Sequence, residues 1–520
     1  MSYCRHCGAH LVVLAAVAAS SSAARPAIQH EVFVSPSGSD GSSGTSSDTP
    51  VATLRRARDL LRGAPRPATV HIAAGHYFLG NESLSLGPPD GGGVLWEGEP
   101  NGSSVVHAGT RIVGWRRHGD SGTYRAPWTG SRFFALTEGR HAAALARHPD
   151  PGSGYIALTQ KTSDTVGWVP GTVPNFTCTE AHQCQAYLQC NYFAEIHNVA
   201  LGSVNQSTST LKYERQPHCS MHMGMGGVML LGALEFLSAP GEFAISGGYV
   251  YYRPFDSFTP IENLIIVASI PERAVELVGS SSAALVEDIT FSDLTFVGSG
   301  ANYSWQIAWD NGPTSPHGEG YQSNYIMTAM QQGQFYFEND SRIPVPGCEL
   351  LAAGQSTVWM QGYAQNNNIT GNLIRESGLC AVYISGYCRA SSSEDRRRRR
   401  LAVAANGTDV TDADVGGGRE RARLREAYHS RECVYTSFSS PEEAYVSKNN
   451  TIAHNYMVNG NLAIGGYAGI YLYESGENTI RNNIIKRFAR DAIGLFGSEL
   501  AFGETQDGVR APTQSTKSSL

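Results

Sequence analysis

A short apolar segment recurs along the second half of the chain, and its spacing constrains the fold more than any other feature. Neighbouring copies without an insertion between them lie 23 or 24 residues apart. Within each copy apolar residues alternate with a period of two, as in a half-buried strand. Six copies align without gaps: AVELVG (274–279), QFYFEN (334–339), TVWMQG (357–362), AVYISG (381–386), GIYLYE (469–474) and AIGLFG (492–497).

A second short strand precedes most of these segments and strengthens the pattern. It is marked by the aligned apolar residues Val345, Ile369, Ile452 and Ile480. Three residues later come Cys348, Asn372, Asn455 and Asn483. One repeat of this length cannot bury its own apolar residues, so successive repeats must stack. The sequence therefore predicts an all-β solenoid, a parallel β-helix with about 23 residues per coil, rather than a propeller with about 40 residues per blade.

The remaining segments define the predicted organisation. An amphipathic helix from Pro50 to Leu61 is expected to cap the open end of the solenoid. The non-repeating stretch with four cysteines is expected to be an inserted subdomain, and the arginine-rich stretch a disordered insertion. The predicted parts are a signal peptide at 1–24, cap and first coils at 25–150, inserted loops or subdomain at 151–245, the β-helix at 246–500 with its insertion at 389–432, and a polar tail at 501–520.

The amino-terminal segment and the cysteines predict export. The apolar run from Leu11 to Ala19 is too short to span a bilayer and precedes small residues, as in a secretory signal. Eight cysteines remain after it, an even number that can pair in an oxidising compartment. We expect Cys178, Cys184, Cys190 and Cys219 to staple one local segment. Nine Asn-x-Ser/Thr sequons fit a secreted glycoprotein.

Composition narrows the partners. The formal net charge of −7 argues against a nucleic acid, which requires a basic surface. Beyond the signal, no apolar stretch has the length of a membrane span. We expect a monomer that needs no cofactor.

Several stretches carry a resemblance to a known superfamily. The opening FVSPSGSDGSSGT and TPVATLRRARDLL, then VHIAAGHYFL, TRIVGW, GGYVYYRPFD and NTIRNNII, resemble pectate-lyase-like right-handed parallel β-helix proteins. The closest likeness is to the glycoside-hydrolase branch, which includes α-L-fucosidases and xylanases, and to uncharacterised eukaryotic β-helix proteins. The resemblance implies a right-handed solenoid and a carbohydrate partner. Two positions where that branch often carries acidic residues hold Tyr387-Cys388 and Lys486-Arg487 instead, so no catalytic residue is carried over.

Two glutamates satisfy the geometry of glycoside hydrolysis. Glu276 and Glu338 occupy predicted outward positions on neighbouring coils, with backbones about 8 Å apart. Inverting enzymes hold their two carboxyl groups roughly 6.5–9.5 Å apart. The sequence therefore predicts this pair as acid and base, with two solvated surface glutamates as the alternative. His317 and Asp310, in the loop between the two coils, are candidate assisting residues, or parts of an ordinary loop.

The outer face also predicts an aromatic platform. Tyr336, Trp359, Tyr383 and Tyr471 occupy equivalent outward positions on successive coils. Such rings bind the apolar faces of sugars, and they also stabilise a solenoid by stacking on one another. The predicted function is that of an extracellular carbohydrate-active protein, a glycoside hydrolase if catalytic, acting on a polysaccharide or glycan. A non-catalytic glycan-binding or cell-surface protein and a polysaccharide lyase are the alternatives.

Export can be checked directly. A carboxyl-terminally tagged chain expressed in eukaryotic cells should appear in the medium, cleaved near Ala24, because the apolar run is followed by a small-residue cleavage site. Treatment with an N-glycosidase should lower its mass. A chain that stays inside the cell and shows no such shift would contradict this prediction.

Overall fold

The structure is a computed structural model, and it describes most of the chain. The described residues are 28–119, 121–162, 164–189, 194–214, 227–301, 332–385, 447–463, 468–473, 475–489 and 491–496. The predicted signal peptide, the insertion at 389–432 and the polar tail lie outside them. Among the described residues there is one α-helix, α1 (Leu54–Leu61), with four 3-10 helices at Pro88–Asp90, Pro100–Gly102, Leu234–Phe236 and Ile261–Asn263.

Short strands make up nearly all the remaining regular structure. The first part of the chain contains β1 (His30–Val34), β2 (Ala68–Ile72), β3 (Gly75–Phe78), β4 (Leu84–Leu86), β5 (Val94–Gly98), β6 (Ser104–His107), β7 (Thr110–Arg111), β8 (Arg116–His118), β9 (Thr123–Pro127), β10 (Ala135–Glu138) and β11 (His141–Leu145). The middle contains β12 (Arg147–His148), β13 (Leu158–Lys161), β14 (Thr165–Trp168), β15 (Gln185–Gln189), β16 (Ala194–Asn198), β17 (Thr210–Lys212) and β18 (Gly227–Leu231). Next come β19 (Glu242–Ser246), β20 (Tyr249–Arg253), β21 (Ile266–Ser269), β22 (Val275–Val278), β23 (Val286–Glu287), β24 (Ile289–Ser292), β25 (Thr295–Ser299), β26 (Gly333–Ser341), β27 (Pro344–Pro346) and β28 (Glu349–Ala353). The last are β29 (Ser356–Gln365), β30 (Asn368–Thr370), β31 (Leu373–Arg375), β32 (Val382–Ser385), β33 (Thr451–Ala453), β34 (Tyr456–Val458), β35 (Ile470–Tyr473), β36 (Thr479–Arg481), β37 (Ile484–Lys486) and β38 (Ile493–Phe496).

Besides a parallel sheet of the order β1-β2-β5-β24, which includes the amino-terminal strand, three longer stacks of parallel strands run through the described part of the molecule. Sheet I has the order β4-β22-β26-β29-β32-β35-β38, sheet II β3-β6-β25-β28-β31-β34-β37, and sheet III β27-β30-β33-β36. From β27 onward the chain visits sheets III, II and I in turn, and each strand pairs with its equivalent in the next repeat. We call each such set of three strands a coil. The predicted all-β class with parallel sheets is confirmed.

The register of sheet I is the one that the repeat alignment predicts. Phe335 pairs with Val275 on one side and Val358 on the other. Val358 in turn pairs with Val382, which pairs with Ile470. These side chains are 0% exposed and belong to the core enclosed by the three sheets. The period-two pattern therefore identified the inward column correctly.

The helix lies against the first strands. Its buried face consists of Leu54, Ala57 and Leu61, which join the same core. It begins at Leu54 rather than at Pro50, because the side chain of Thr53 accepts a hydrogen bond from the backbone of Arg56 and caps the helix there.

Buried asparagines connect one coil to the next. The Oδ1 atom of Asn455 accepts from the backbone N–H of Asn372 at 2.9 Å, and its Nδ2 donates to the carbonyl of Ile369 at 2.8 Å. Asn483 repeats both contacts one coil further on. A second ladder that the sequence did not predict runs through Asn367, Asn450 and Asn478. Each amide thus satisfies buried backbone groups at a turn, where no strand partner is available.

Residues from the middle of the chain form two units outside the coils. The antiparallel strands β12-β18-β15-β16 and β13-β14-β17 share a core of their own, which we call the insert. Cys178 and Cys184 are joined there by a disulfide, as the predicted local staple requires, while Cys190 and Cys219 lie outside the described residues. Cys348 and Cys380 are buried and free, so these two do not take part in the pairing that the even number of cysteines allows.

The second unit is a mixed, mainly antiparallel sheet of the order β7-β21-β10-β11-β19-β20-β9-β8, which we call the side sheet. It combines residues 110–145 with residues 242–269, so the first coils end near β6 rather than continuing to residue 150. The helices in the described part of the chain include none with the length and apolarity needed to cross a bilayer.

The asparagine ladder should be a measurable source of stability. Replacing Asn455 by Ala leaves the buried N–H of Asn372 and the carbonyl of Ile369 without partners. Each such group costs about 1–3 kcal/mol, so we expect urea denaturation to show a loss of roughly 2–6 kcal/mol for the two groups together. Asn263→Ala, at an exposed position in the 3-10 helix Ile261–Asn263, is the matched control and should change stability by less than about 0.5 kcal/mol. Equal effects of the two variants would contradict the assignment.

Candidate active site

The predicted pair Glu276 and Glu338 lies on neighbouring strands of sheet I. Glu276 pairs with Tyr336, and Glu338 with Val278, as the alignment predicted. Glu276 is 26% exposed, forms an ion pair with Arg273, and accepts a hydrogen bond from Ser85 Oγ at 2.8 Å. The adjacency is therefore as expected, while the catalytic role of the pair stays a prediction.

Glu338 is not the solvated surface carboxylate of the alternative interpretation, because it is only 1% exposed. The hydroxyl of Tyr336 donates to its Oε2 at 2.6 Å, and Gln361 Nε2 lies 3.5 Å from the same oxygen. Two residues on, Asp340 is also buried. Burial raises the pKa of Asp340 well above its usual value, and the nearby charge of Glu338 raises it further. The hydrogen bond from Asn367 acts in the opposite direction, but burial outweighs it. Glu338 thus belongs to a compact buried polar network.

The aromatic ladder exists, but it is covered. The rings of Trp359 and Tyr383 stack with centroids 4.0 Å apart, and those of Tyr383 and Tyr471 with centroids 5.0 Å apart. Together with Tyr336 they are only 1–4% exposed, so the expected open platform is wrong. The insert supplies the cover: Tyr187 and Ile196 share one apolar cluster with the rings. Whether the ladder contacts a glycan stays a prediction.

Two predicted assisting residues cannot be placed. His317 and Asp310 lie outside the described residues, as do Trp305, Trp309 and Glu319 of the same loop. Among the residues that are described, no group of three or more His, Cys, Asp or Glu side chains is arranged to hold a metal ion.

A cavity of about 890 Å³ lies where the insert, the side sheet and the coils meet. Its insert wall includes Arg147, Tyr187 and Met229, and its side-sheet wall runs from Ala142 to Leu145. The coils contribute Ala352–Gly354, Glu376, Gly378 and Asn461–Ala463. The lining is mainly apolar with a few polar groups, which is the usual character of a small-ligand site. Sequence reasoning missed this site because each wall comes from a different part of the chain.

Glu242, at the start of β19, is one of two carboxylates that line the cavity. It is 2% exposed, and its Oε2 accepts from the backbone N–H groups of Ser238 at 3.1 Å and Ala239 at 3.0 Å. Its Oε1 is shielded from water and has no hydrogen-bond partner among the described residues. Burial raises the pKa of Glu242, although the two backbone donors oppose this. The group therefore tends to hold its proton.

Glu376 follows β31 and is the second carboxylate of the cavity. Its side chain is 12% exposed and accepts from the backbone N–H of Ala142 at 2.7 Å, and it lies 3.0 Å from His141 Nδ1. The two oxygens are thus held by the first two residues of β11 in the side sheet. This carboxylate has neighbours that suit a negative charge, since Arg375 Nε is 3.5 Å away.

One signal in the sequence could have indicated Glu376. Arg375 pairs with Val458, which pairs with Lys486, so Glu376 and Arg487 occupy equivalent positions two coils apart. Arg487 stands at one of the two positions where the resemblance to the glycoside-hydrolase branch leads us to expect an acidic residue. An acidic residue thus occupies that position on another coil. Glu376 also has φ +61°, an uncommon left-handed conformation for a side chain other than glycine.

Known proteins resemble the chain in structure rather than in sequence. No protein-family model and no curated protein matches it. A solved structure described as a glycoside hydrolase is 16% identical, with a TM-score of 0.61 and coverage of 90% of this chain and 79% of that chain. The complex of XylC with xylose is 10% identical, with a TM-score of 0.38 and coverage of 90% and 60%. The Gp54 tailspike of Acinetobacter baumannii bacteriophage AP22, in complex with a capsular saccharide, is 10% identical, with a TM-score of 0.16 and coverage of 80% and 52%. The first of these shows that the chain shares its fold with that glycoside hydrolase.

The cover over the ladder yields a test. Trp359→Ala removes a fully buried indole and should lower the free energy of unfolding by about 3–5 kcal/mol, measured by chemical denaturation. Phe258, which is 96% exposed, provides the aromatic control, and Phe258→Ala should change stability by less than about 0.5 kcal/mol. If Trp359→Ala were as mild as the control, the ring would be an exposed platform after all.

Proposed function

We propose that the chain is an extracellular carbohydrate-active protein that hydrolyses glycosidic bonds in the cavity between the insert, the side sheet and the coils. In this proposal sheets I to III form a right-handed solenoid and α1 caps its first coil. The observation that carries the proposal is the presence of Glu242 and Glu376 in one cavity, on different elements. Glycoside hydrolysis commonly requires two carboxyl groups in contrasting environments.

Glu242 is the proposed general acid. A carboxyl group whose pKa is raised by burial holds its proton more tightly than a solvated one and can give it to the leaving oxygen. Because Oε2 is occupied by two backbone donors, the proton belongs on Oε1, the oxygen without a partner in the described structure. The proton on Oε1 can then be donated to a substrate without breaking the two backbone hydrogen bonds to Oε2.

Glu376 is the proposed base or nucleophile. The backbone N–H of Ala142 and the ring of His141 hold its carboxylate in one position, although the glutamate side chain is flexible by itself. As a base it would activate a water molecule, and as a nucleophile it would form a glycosyl-enzyme intermediate. In both cases the other carboxyl group, on Glu242, protonates the departing sugar.

Other assignments remain to be separated from this one by experiment. Glu276 and Glu338 are the second candidate pair, supported by their positions on adjacent strands. A non-catalytic glycan-binding protein would use the same cavity without turnover. A lyase would need a basic residue that abstracts a proton, and Arg147 is the cation that the described cavity wall offers.

The decisive experiment measures turnover of aryl glycosides and of a glycan panel. We expect Glu242→Gln and Glu376→Gln to lower kcat by at least about a hundredfold, because general acid–base catalysis contributes 10²–10⁴-fold. Glu276→Gln and Glu338→Gln are the matched controls and should retain most of the activity. If only the control variants lose turnover, the site on sheet I is correct and the cavity is not. Binding without turnover in the wild type would support a lectin-like role.

Stability separates a catalytic from a structural role of Glu242. Its pKa is higher in the folded than in the unfolded state, so the folded state binds the proton more tightly. The contribution of this group to stability is therefore greatest at low pH and is lost as pH rises above the unfolded pKa of about 4.3. Glu242→Gln, which retains an acceptor oxygen, should match or exceed the wild-type melting temperature at pH 7 while losing activity. A variant that is destabilised at pH 7 would indicate a purely structural carboxylate.

A further inference from the structure

The insert presents one cation to the cavity. Arg147 lies on β12 and pairs with Leu231 of β18, so its side chain emerges on the same face as Leu231 and Met229. All three residues line the cavity. This is the face of the insert that also covers the aromatic ladder. The arginine is therefore part of the wall that closes the cavity, opposite to the solvent-facing side of the insert.

Arg147 forms no ion pair with a described residue. Among the described residues no side chain or carbonyl accepts a hydrogen bond from it, and its Nε is shielded from water without a partner. Most other arginines near the cavity are engaged: Arg375 contacts Glu376, and Arg140 pairs with Glu349. A guanidinium carries five donors, and leaving the shielded Nε–H of Arg147 unused is costly.

The nearest acidic groups do not neutralise it. The charge of Arg147 acts on Glu242 and on the Tyr155 hydroxyl, lowering both pKa values, but burial outweighs it in each case and both pKa values are raised. Burial thus shifts both groups toward their neutral forms, which weakens their compensation of the Arg147 charge. Glu376 is occupied by Ala142, His141 and Arg375. An anion is the partner that this wall lacks.

We propose that Arg147 binds an anionic group on the sugar, the carboxylate of a uronic acid or a sulfate ester, so that the cavity selects acidic over neutral glycans. This inference rests on the proposed function, since it names the substrate class of the same cavity. The planar fork of arginine matches a carboxylate or a sulfate with two parallel hydrogen bonds. The protonated Oε1 of Glu242 remains available for the glycosidic oxygen.

Calorimetric titration with three tetrasaccharides tests the proposal. Hyaluronan tetrasaccharide carries uronate and no sulfate, a carrageenan tetrasaccharide carries sulfate and no uronate, and cellotetraose is neutral. The wild type should bind at least one acidic probe about tenfold to a hundredfold more tightly than cellotetraose, the range of one charged hydrogen-bonded contact. The acidic probe that binds identifies the anion. Equal affinity for all three probes, or preference for cellotetraose, would overturn the inference.

Variants of Arg147 assign the preference to this residue. Arg147→Met should abolish the preference, and Arg147→Lys should retain part of it, because lysine keeps the charge but loses the fork. Arg117→Met, on the exposed strand β8 of the side sheet, is the matched control and should bind as the wild type does. Melting curves of all three verify folding, and Arg147→Lys decides the outcome if the Met variant does not fold. A preference that survives in a folded Arg147 variant would place the anion elsewhere.

The two proposals fail in distinguishable ways. If acidic probes bind through Arg147 but no glycoside is cleaved, the cavity is an acidic-glycan binding site and hydrolysis is wrong. If neutral glycosides are cleaved through Glu242 and the Arg147 variants are unaffected, hydrolysis holds and the preference for an anion is wrong.

Discussion

Parallel pairing between successive coils is the interaction on which the rest of the structure depends. A single coil exposes its backbone groups on both sides and cannot enclose its own apolar residues, so it is stable only between neighbours. Pairing in register places Phe335, Val358 and Val382 above one another and creates a continuous core. The asparagine ladders extend the same logic to the turns, where a side-chain amide replaces the missing strand partner. The register that stacks the core also fixes the outward residues at one coil spacing.

The regular spacing of the coils makes the stacking of residues predictable from the sequence, but not what covers the outer face. The period of two distinguishes the two faces of each strand, so the inward column and the stacked rings of Trp359 and Tyr383 could be predicted. It does not report what packs on the outer face. The cover of the ladder comes from Tyr187 and Ile196, more than a hundred residues earlier in a segment without a repeat. The predicted stacking of the rings is therefore present, while the predicted exposure of the rings to solvent is wrong.

The cavity also combines residues that the repeat makes predictable with residues that it does not. Glu376 stands at a repeat position and could be compared with its equivalents on other coils. Glu242 and Arg147 stand in segments where no repeat supplies a comparison, and their proximity depends on how the side sheet and the insert dock. Ala352, Asn459 and Arg487 share the left-handed backbone of Glu376, at a cost of about 1–2 kcal/mol each. Coil stacking enforces this corner and so determines the direction in which the carboxylate emerges.

The covered ladder also has a consequence for the order in which the molecule is made. Chains leave the ribosome amino end first, and earlier units fold first. The insert strands β12 to β18 precede every ring of the ladder, from Tyr336 to Tyr471. The cover is therefore synthesised before the surface that it hides, and each new coil can dock its aromatic residue as it emerges. A nascent chain of this kind avoids a stage in which a naked stack of rings faces water or another chain.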